Sequence, residues 1–114
     1  MIERRAEARL WCSHLIRVRL EDADGRTLAA NLEDISPSGA CLQTEEPLAA
    51  GTRVCLLLGR QRFPGTVRYA VVNEVGHFAG VQFDGGRKWS REAFEPQHLT
   101  DPAEMRERKS PPAR

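Results

Sequence analysis

Apolar and polar residues alternate along most of the chain. Leu10, Cys12, Ile16, Val18 and Leu20 share one parity, with Ser13, Arg17 and Arg19 on the other. A period of two sends successive side chains to opposite sides of an extended backbone, so residues 10–20 are expected to form a half-buried strand. His14 falls with the apolar set and reads as a core-edge histidine held by a hydrogen bond. The Asp24-Gly25 pair favours a tight hairpin turn with positive φ. Thr27 to Ile35 alternates again through Leu28, Ala30 and Leu32, with Ile35 as a packing residue. Ser36-Pro37-Ser38-Gly39 must turn, since proline lacks an amide donor and glycine admits unusual φ. A short strand covers 40–44, and a loop containing Pro47 comes after it. The unbroken apolar run Val54 to Leu58 fits a strand that is buried on both sides or closes a barrel. Phe63 to Val72 is a fifth strand with Phe63, Val67, Tyr69 and Val71 in register, and Pro64-Gly65 marking an edge or a bulge. His77 to Asp84 is the sixth.

Six short strands at roughly ten-residue intervals predict an all-β fold, a six-stranded antiparallel β-barrel. Closure leaves no exposed sheet edge. Residues 1–9 form a charged arm and residues 10–84 the barrel. Gly85-Gly86 opens a segment over 85–100 in which Lys88 to Phe94 is expected to make a short C-terminal helix. Ser90 would cap it, Trp89 and Phe94 would anchor it, and Pro96 would stop it. Residues 101–114 are charged, lack aromatics and are expected to be a disordered tail.

Composition narrows the function. A chain of 114 residues suits one domain with its own core. The formal net charge is +1, so any anion site must be local. Aromatics are only 6%, which disfavours a small-barrel binder of nucleic acid polymers. Cys12, Cys41 and Cys55 are odd in number and unpaired in spacing, which fits a reducing compartment. With no long apolar run and no apolar signal core after the charged start, a cytoplasmic chain without membrane insertion is expected. Zinc-ligand spacing, a phosphate-binding glycine loop and a dinucleotide fingerprint are missing, so an enzyme is not expected and neither is a metal or cofactor.

Two stretches carry candidate chemistry. Arg4, Arg5 and Arg9 present planar donor forks that match a phosphate or the guanine O6/N7 edge. Asp34, Ser36, Ser38 and Gly39 offer a carboxylate for the guanine N1–H and N2–H₂ donors, hydroxyls for phosphate, and a glycine for close approach. Taken separately, the arginines also read as a solvated amino terminus, and the second stretch as an Asx-type turn. Trp11, His77 and the outward arginines Arg17, Arg19 and Arg68 read first as surface or packing residues.

Jointly they read differently. Arg5-Ala6-Glu7-Ala8-Arg9, then Asp34-Ile35-Ser36-Pro37-Ser38-Gly39, then Gly80-Val81-Gln82-Phe83 within a run of short strands resembles the PilZ family over residues 3 to about 84. The resemblance implies a six-stranded barrel that binds the bacterial second messenger cyclic di-GMP. Arg5 and Arg9 would clamp phosphates and the guanine Hoogsteen edge, Asp34 and Ser36 would hold another guanine edge, and Gly39 would leave room. Arg4, directly before the motif, fits binding of a stacked ligand dimer. Ligand would fold the arm over the barrel and present a changed surface to a downstream protein. The alternative is a PilZ-like barrel serving as a ligand-independent protein adaptor.

Overall fold

The structure, a computed structural model, describes residues 7–21 and 25–103. It is built from six strands: β1 (Leu10–Leu20), β2 (Thr27–Ser36), β3 (Gly39–Thr44), β4 (Arg53–Leu58), β5 (Gln61–Val72) and β6 (His77–Phe83). All neighbouring pairs are antiparallel, and the order β1-β2-β3-β6-β5-β4 closes on itself as a barrel. The expected strands are therefore the observed ones, with ends shifted by at most two residues. Gly25, at φ +59°, adopts the left-handed conformation expected in the β1–β2 turn. Most of the expected arm and tail, residues 1–6 and 104–114, lies outside the described residues.

The inward parity fills the barrel. Val18, Leu32, Ile35, Leu42, Val54, Leu56, Leu58 and Phe63 are essentially inaccessible. The β4 run is the least alternating because Cys55 is buried as well, so only Arg53 and Leu57 of that strand reach the surface. Gly65 on β5 permits a close crossing. A Cβ there would lie 2.4 Å from the Gln82 carbonyl oxygen, an impossible contact.

Two expectations are corrected. The β5 bulge lies between Val67 and Tyr69, not at Pro64-Gly65, whose register against β4 is regular. A bulge adds one residue to one strand and re-aims the side chains beyond it. Phe63 and Val67 are buried, but Tyr69 and Val71 emerge on the outside. Past the bulge β5 outruns its pairing with β4, which ends at Thr66, while β6 stays paired with β3, and Val71, Val72 and Val75 are exposed.

The helix expected from Lys88 to Phe94 is not formed. Residues 91–93 make a turn, in which the Ala93 and Phe94 amides both donate to the Ser90 carbonyl. Docking of the segment onto the barrel outweighs its helical tendency. The Trp89 ring is buried, its Nε1 donates to the Phe94 carbonyl at 2.8 Å, and its backbone amide donates to the Pro37 carbonyl at 2.8 Å. Further on, the Ser13 and Trp11 amides of β1 donate to the Gln97 and Thr100 carbonyls. The free edge of the first half of β1 is covered in this way. His14 is held as expected at the core edge: its Nδ1 accepts from the Gln97 amide at 3.0 Å, and its ring meets Phe94 edge-on at 5.1 Å.

Candidate functional site

The Asp34–Gly39 stretch ends β2, turns, and starts β3. Ser36 pairs with Gly39 across the turn, and its hydroxyl donates to the Gly39 carbonyl at 3.4 Å. Ser36 is mostly buried, at 8% exposure, and this contact ties its hydroxyl to the turn. The turn is braced from behind by the Trp89 amide on Pro37 and by the Phe83 amide donating to the Ser38 carbonyl at 2.8 Å. Gly39 faces β6 rather than open space. A Cβ there would stand 2.5 Å from the Val81 carbonyl oxygen.

A single row of residues crosses the outer face of the sheet at this level. Trp11 of β1 lies opposite Asp34 of β2, Asp34 opposite Cys41 of β3, Cys41 opposite Gly80 of β6, and Gly80 opposite Tyr69 of β5. Neighbouring strands lie about 4.8 Å apart, so the row spans roughly 19 Å. Both ends are exposed aromatics, Trp11 at 51% and Tyr69 at 45%. The Tyr69 ring lies over Gly80, where a Cβ would come within 2.1 Å of the ring. The glycine is the seat of the ring.

Arg9 reaches this row from the arm. Its Nη2 and Nε donate to Asp34 Oδ1 at 3.0 and 3.3 Å. The first motif is thereby joined to the second. Among the described residues nothing else bonds Asp34 Oδ2 or Arg9 Nη1, so both keep capacity for a further partner. Two positions before Arg9, Glu7 Oε1 accepts from the Ser38 amide at 3.1 Å and from the Ser38 hydroxyl at 2.5 Å, while Glu7 Oε2 pairs with Lys88 Nζ at 3.5 Å. Arg4 and Arg5 lie outside the described residues.

Arg9, Ser36, Gly39, Arg68, Tyr69 and Gln82 line a cleft of about 170 Å³ on the same face. Pattern reading assigns Arg68 to a solvated face and Tyr69 to the interior. The bulge brings both to the cleft. The signal in the sequence is the failure of alternation in Val67-Arg68-Tyr69-Ala70-Val71-Val72.

The electrostatics of the row result from partial burial. Burial raises the Asp34 pKa above the ordinary carboxylate value, the Arg9 charge and hydrogen bond oppose that rise, and Glu33 adds to it. The Cys41 thiol is raised by burial and then by the Asp34 charge, and the Tyr69 hydroxyl by burial and then by Cys41. The folded state thus holds the Asp34 proton more tightly than the unfolded chain. The Asp34 contribution to stability falls as pH rises from its unfolded pKa through its folded one. Removing the main opposing influence should raise this carboxyl further. Arg9→Gln is expected to move the Asp34 titration midpoint upward, read from the carboxyl carbon shift in an NMR pH series. An unchanged or lowered midpoint contradicts the pairing.

Among the described residues no cluster of three or more His, Cys, Asp or Glu could hold a metal ion, and no helix is long and apolar enough to cross a membrane. What the site offers is a half-open anionic–cationic pair, a carboxylate at mid-row, aromatic flanks and a shallow cleft. It is suited to holding a flat, multiply hydrogen-bonding anion.

Comparison with known proteins gives three results. A family model described as the PilZ domain matches residues 3–95. The fold is similar to the PilZ domain with c-di-GMP of YcgR from Escherichia coli, at 18% identity and a TM-score of 0.54, covering 73% of this chain and 79% of that one. It is also similar to YcgR in complex with c-di-GMP from Escherichia coli, at 20% identity and a TM-score of 0.57. There 74% of this chain aligns with 39% of that chain, so the present chain spans well under half of that relative. No curated protein matches.

Proposed function

The chain belongs to the PilZ domain family, matched over residues 3–95, and on that premise we propose that it is a receptor for cyclic di-GMP whose site is the Arg9–Asp34 row with its cleft. PilZ domains are non-catalytic c-di-GMP receptors. The observation that carries the reading is the Arg9–Asp34 contact at 3.0 Å, which unites two motifs separated by residues 10–33.

The chemistry matches the ligand. Arg9 holds one face of its fork to Asp34 and offers the other to a phosphate oxygen or to guanine O6/N7. Asp34 Oδ2 accepts from guanine N1–H or N2–H₂. Arg5 supplies the second guanidinium of the motif, and Arg4 a third charge that fits a stacked pair of ligands. Tyr69 and Trp11 offer ring faces for stacking on a base. Ser36 and Gly39 shape the turn that presents Asp34. Arm closure over bound ligand then changes the surface shown to a protein partner.

Calorimetric titration with cyclic di-GMP is the direct test. Binding with a dissociation constant on the order of micromolar or tighter is expected, about 8 kcal/mol or more of binding free energy. A stoichiometry of two ligands per chain is expected from Arg4. Absence of heat and of any spectral change at micromolar ligand would falsify the receptor reading. It would favour the second one, a ligand-independent adaptor, for which the exposed Val71, Val72 and Val75 of the β5–β6 hairpin speak.

A further inference from the structure

The barrel wall leaves the edge of β5 bare from Arg68 to Val72. β4 pairs with β5 only as far as Thr66, and the Val67 amide and carbonyl are taken by Thr52 and Gly51. Beyond Val67, no strand lies on that side of β5 among the described residues. The hairpin fixes where each later backbone group points. The Asn73 amide donates to the Gly76 carbonyl at 3.0 Å, so these two residues are a hydrogen-bonded pair. In an antiparallel ladder such pairs alternate with pairs whose amides and carbonyls point away from each other. Val71 with Phe78 and Tyr69 with Gly80 are therefore bonded pairs, while Ala70 and Val72 turn their amides and carbonyls to the bare edge. Among the described residues those outward groups have no hydrogen-bond partner.

We propose that this edge pairs with the same edge of a second copy of the chain, antiparallel, about a two-fold axis at Val71. Unpaired edge donors and acceptors are a template for another strand, and no lysine or proline interrupts this one. The register makes the edge complementary to itself. With Val71 opposite Val71, Ala70 of each copy faces Val72 of the other, and their outward amides and carbonyls exchange hydrogen bonds on both sides of the axis. The exposed Val71 side chains meet as a cross-strand pair of β-branched residues.

Charge selects both the occupant and the register. Pairing about Val71 sets Arg68 opposite Glu74 of the second copy, once on each side of the axis. Among the described residues neither Arg68 nor Glu74 has an ion-pair or hydrogen-bond partner in its own chain. Moving the axis to Ala70 would set Arg68 opposite Val72, and moving it to Val72 would set Glu74 opposite Ala70. Neither shift gives the two charges a counterpart. An edge this short makes a small interface, so the association is weak and reversible.

The pairing is independent of the receptor reading. Arg68 also lines the cleft, so the test reads self-association of the full chain without ligand. In sedimentation equilibrium the weight-average mass is expected to rise from one chain towards two between about 10 µM and 1 mM. Val72→Pro removes an outward amide and spares the β5–β6 ladder, since that amide makes no bond to β6. It should weaken the dimer by about tenfold or more. Glu74→Arg puts like charges opposite each other and should weaken it by roughly threefold to tenfold, and adding Arg68→Glu should restore it to within about twofold. Circular dichroism melting at low concentration shows whether each variant folds. Glu74 lies in the exposed hairpin turn, so its variants decide the matter even if the proline is not tolerated. A wild-type chain that stays monomeric across the whole range overturns the proposal and leaves the bare edge to a different protein. A dimer that a folded Val72→Pro leaves unchanged overturns it too, and so does one indifferent to Glu74→Arg or not restored by the charge swap.

Discussion

Arg9→Ala should weaken cyclic di-GMP binding by about 1.5–3 kcal/mol, roughly tenfold to 150-fold, and Asp34→Ala should do the same. Each change removes a charged hydrogen-bonding group from the mid-row of the site. Neither should unfold the barrel. The Arg9 side chain is half exposed at 50% and Asp34 stands at 21%, both outside the core. An ion pair with its arginine half exposed contributes little to folding. The two effects should not add. Removing Arg9 leaves the partly buried Asp34 carboxyl with less to oppose its raised pKa, so the single change weakens both halves of the pair. A double-mutant cycle measured by calorimetry should show the double variant losing less than the sum of the single losses. Full additivity would mean that the two groups act on the ligand separately. Equal unfolding of both variants would mean that they are structural instead.

Gly39→Val should cost the most in folding. Its Cβ alone would overlap the Val81 carbonyl oxygen at 2.5 Å, and backbone on a paired strand cannot step aside as a side chain can. Forcing extra atoms into a packed region costs about 1–3 kcal/mol and sometimes more, and the β-branched valine adds two methyl groups at the clash. Urea unfolding should show a midpoint well below that of wild type. Ligand binding should fall as well, through displacement of the β2–β3 turn that presents Asp34. The motif alone suggests that Gly39 leaves room for a ligand. The structure gives the glycine another reason, the close crossing of β3 and β6, and wild-type stability in Gly39→Val would remove that reason.

The site is legible in the sequence only in part. Arg9 and Asp34 are far apart along the chain, and the motif pattern pairs them correctly in space. Ser36 reads as a ligand donor, and the structure adds a contact of its hydroxyl to the Gly39 carbonyl that the pattern does not show. Glu7 and Lys88 carry no signal, since a glutamate between arginines and a lysine next to Arg87 look like ordinary surface charge. Tyr69 has the parity of the buried Phe63 and Val67, and one inserted residue reverses that parity.

What the sequence alone determined is the set of six strands, the barrel they close and the two polar motifs. Alternation acts between near neighbours on one backbone, and a buried face must be apolar wherever the strand lies. Only the tertiary structure decided the row Trp11–Asp34–Cys41–Gly80–Tyr69, the Val67/Tyr69 bulge, the docking of residues 84–100 in place of a helix, and the contact of Glu7 with Ser38. Each depends on which strand lies beside which and in what register. That choice is made by contacts between residues distant in sequence, and a local pattern carries no record of it.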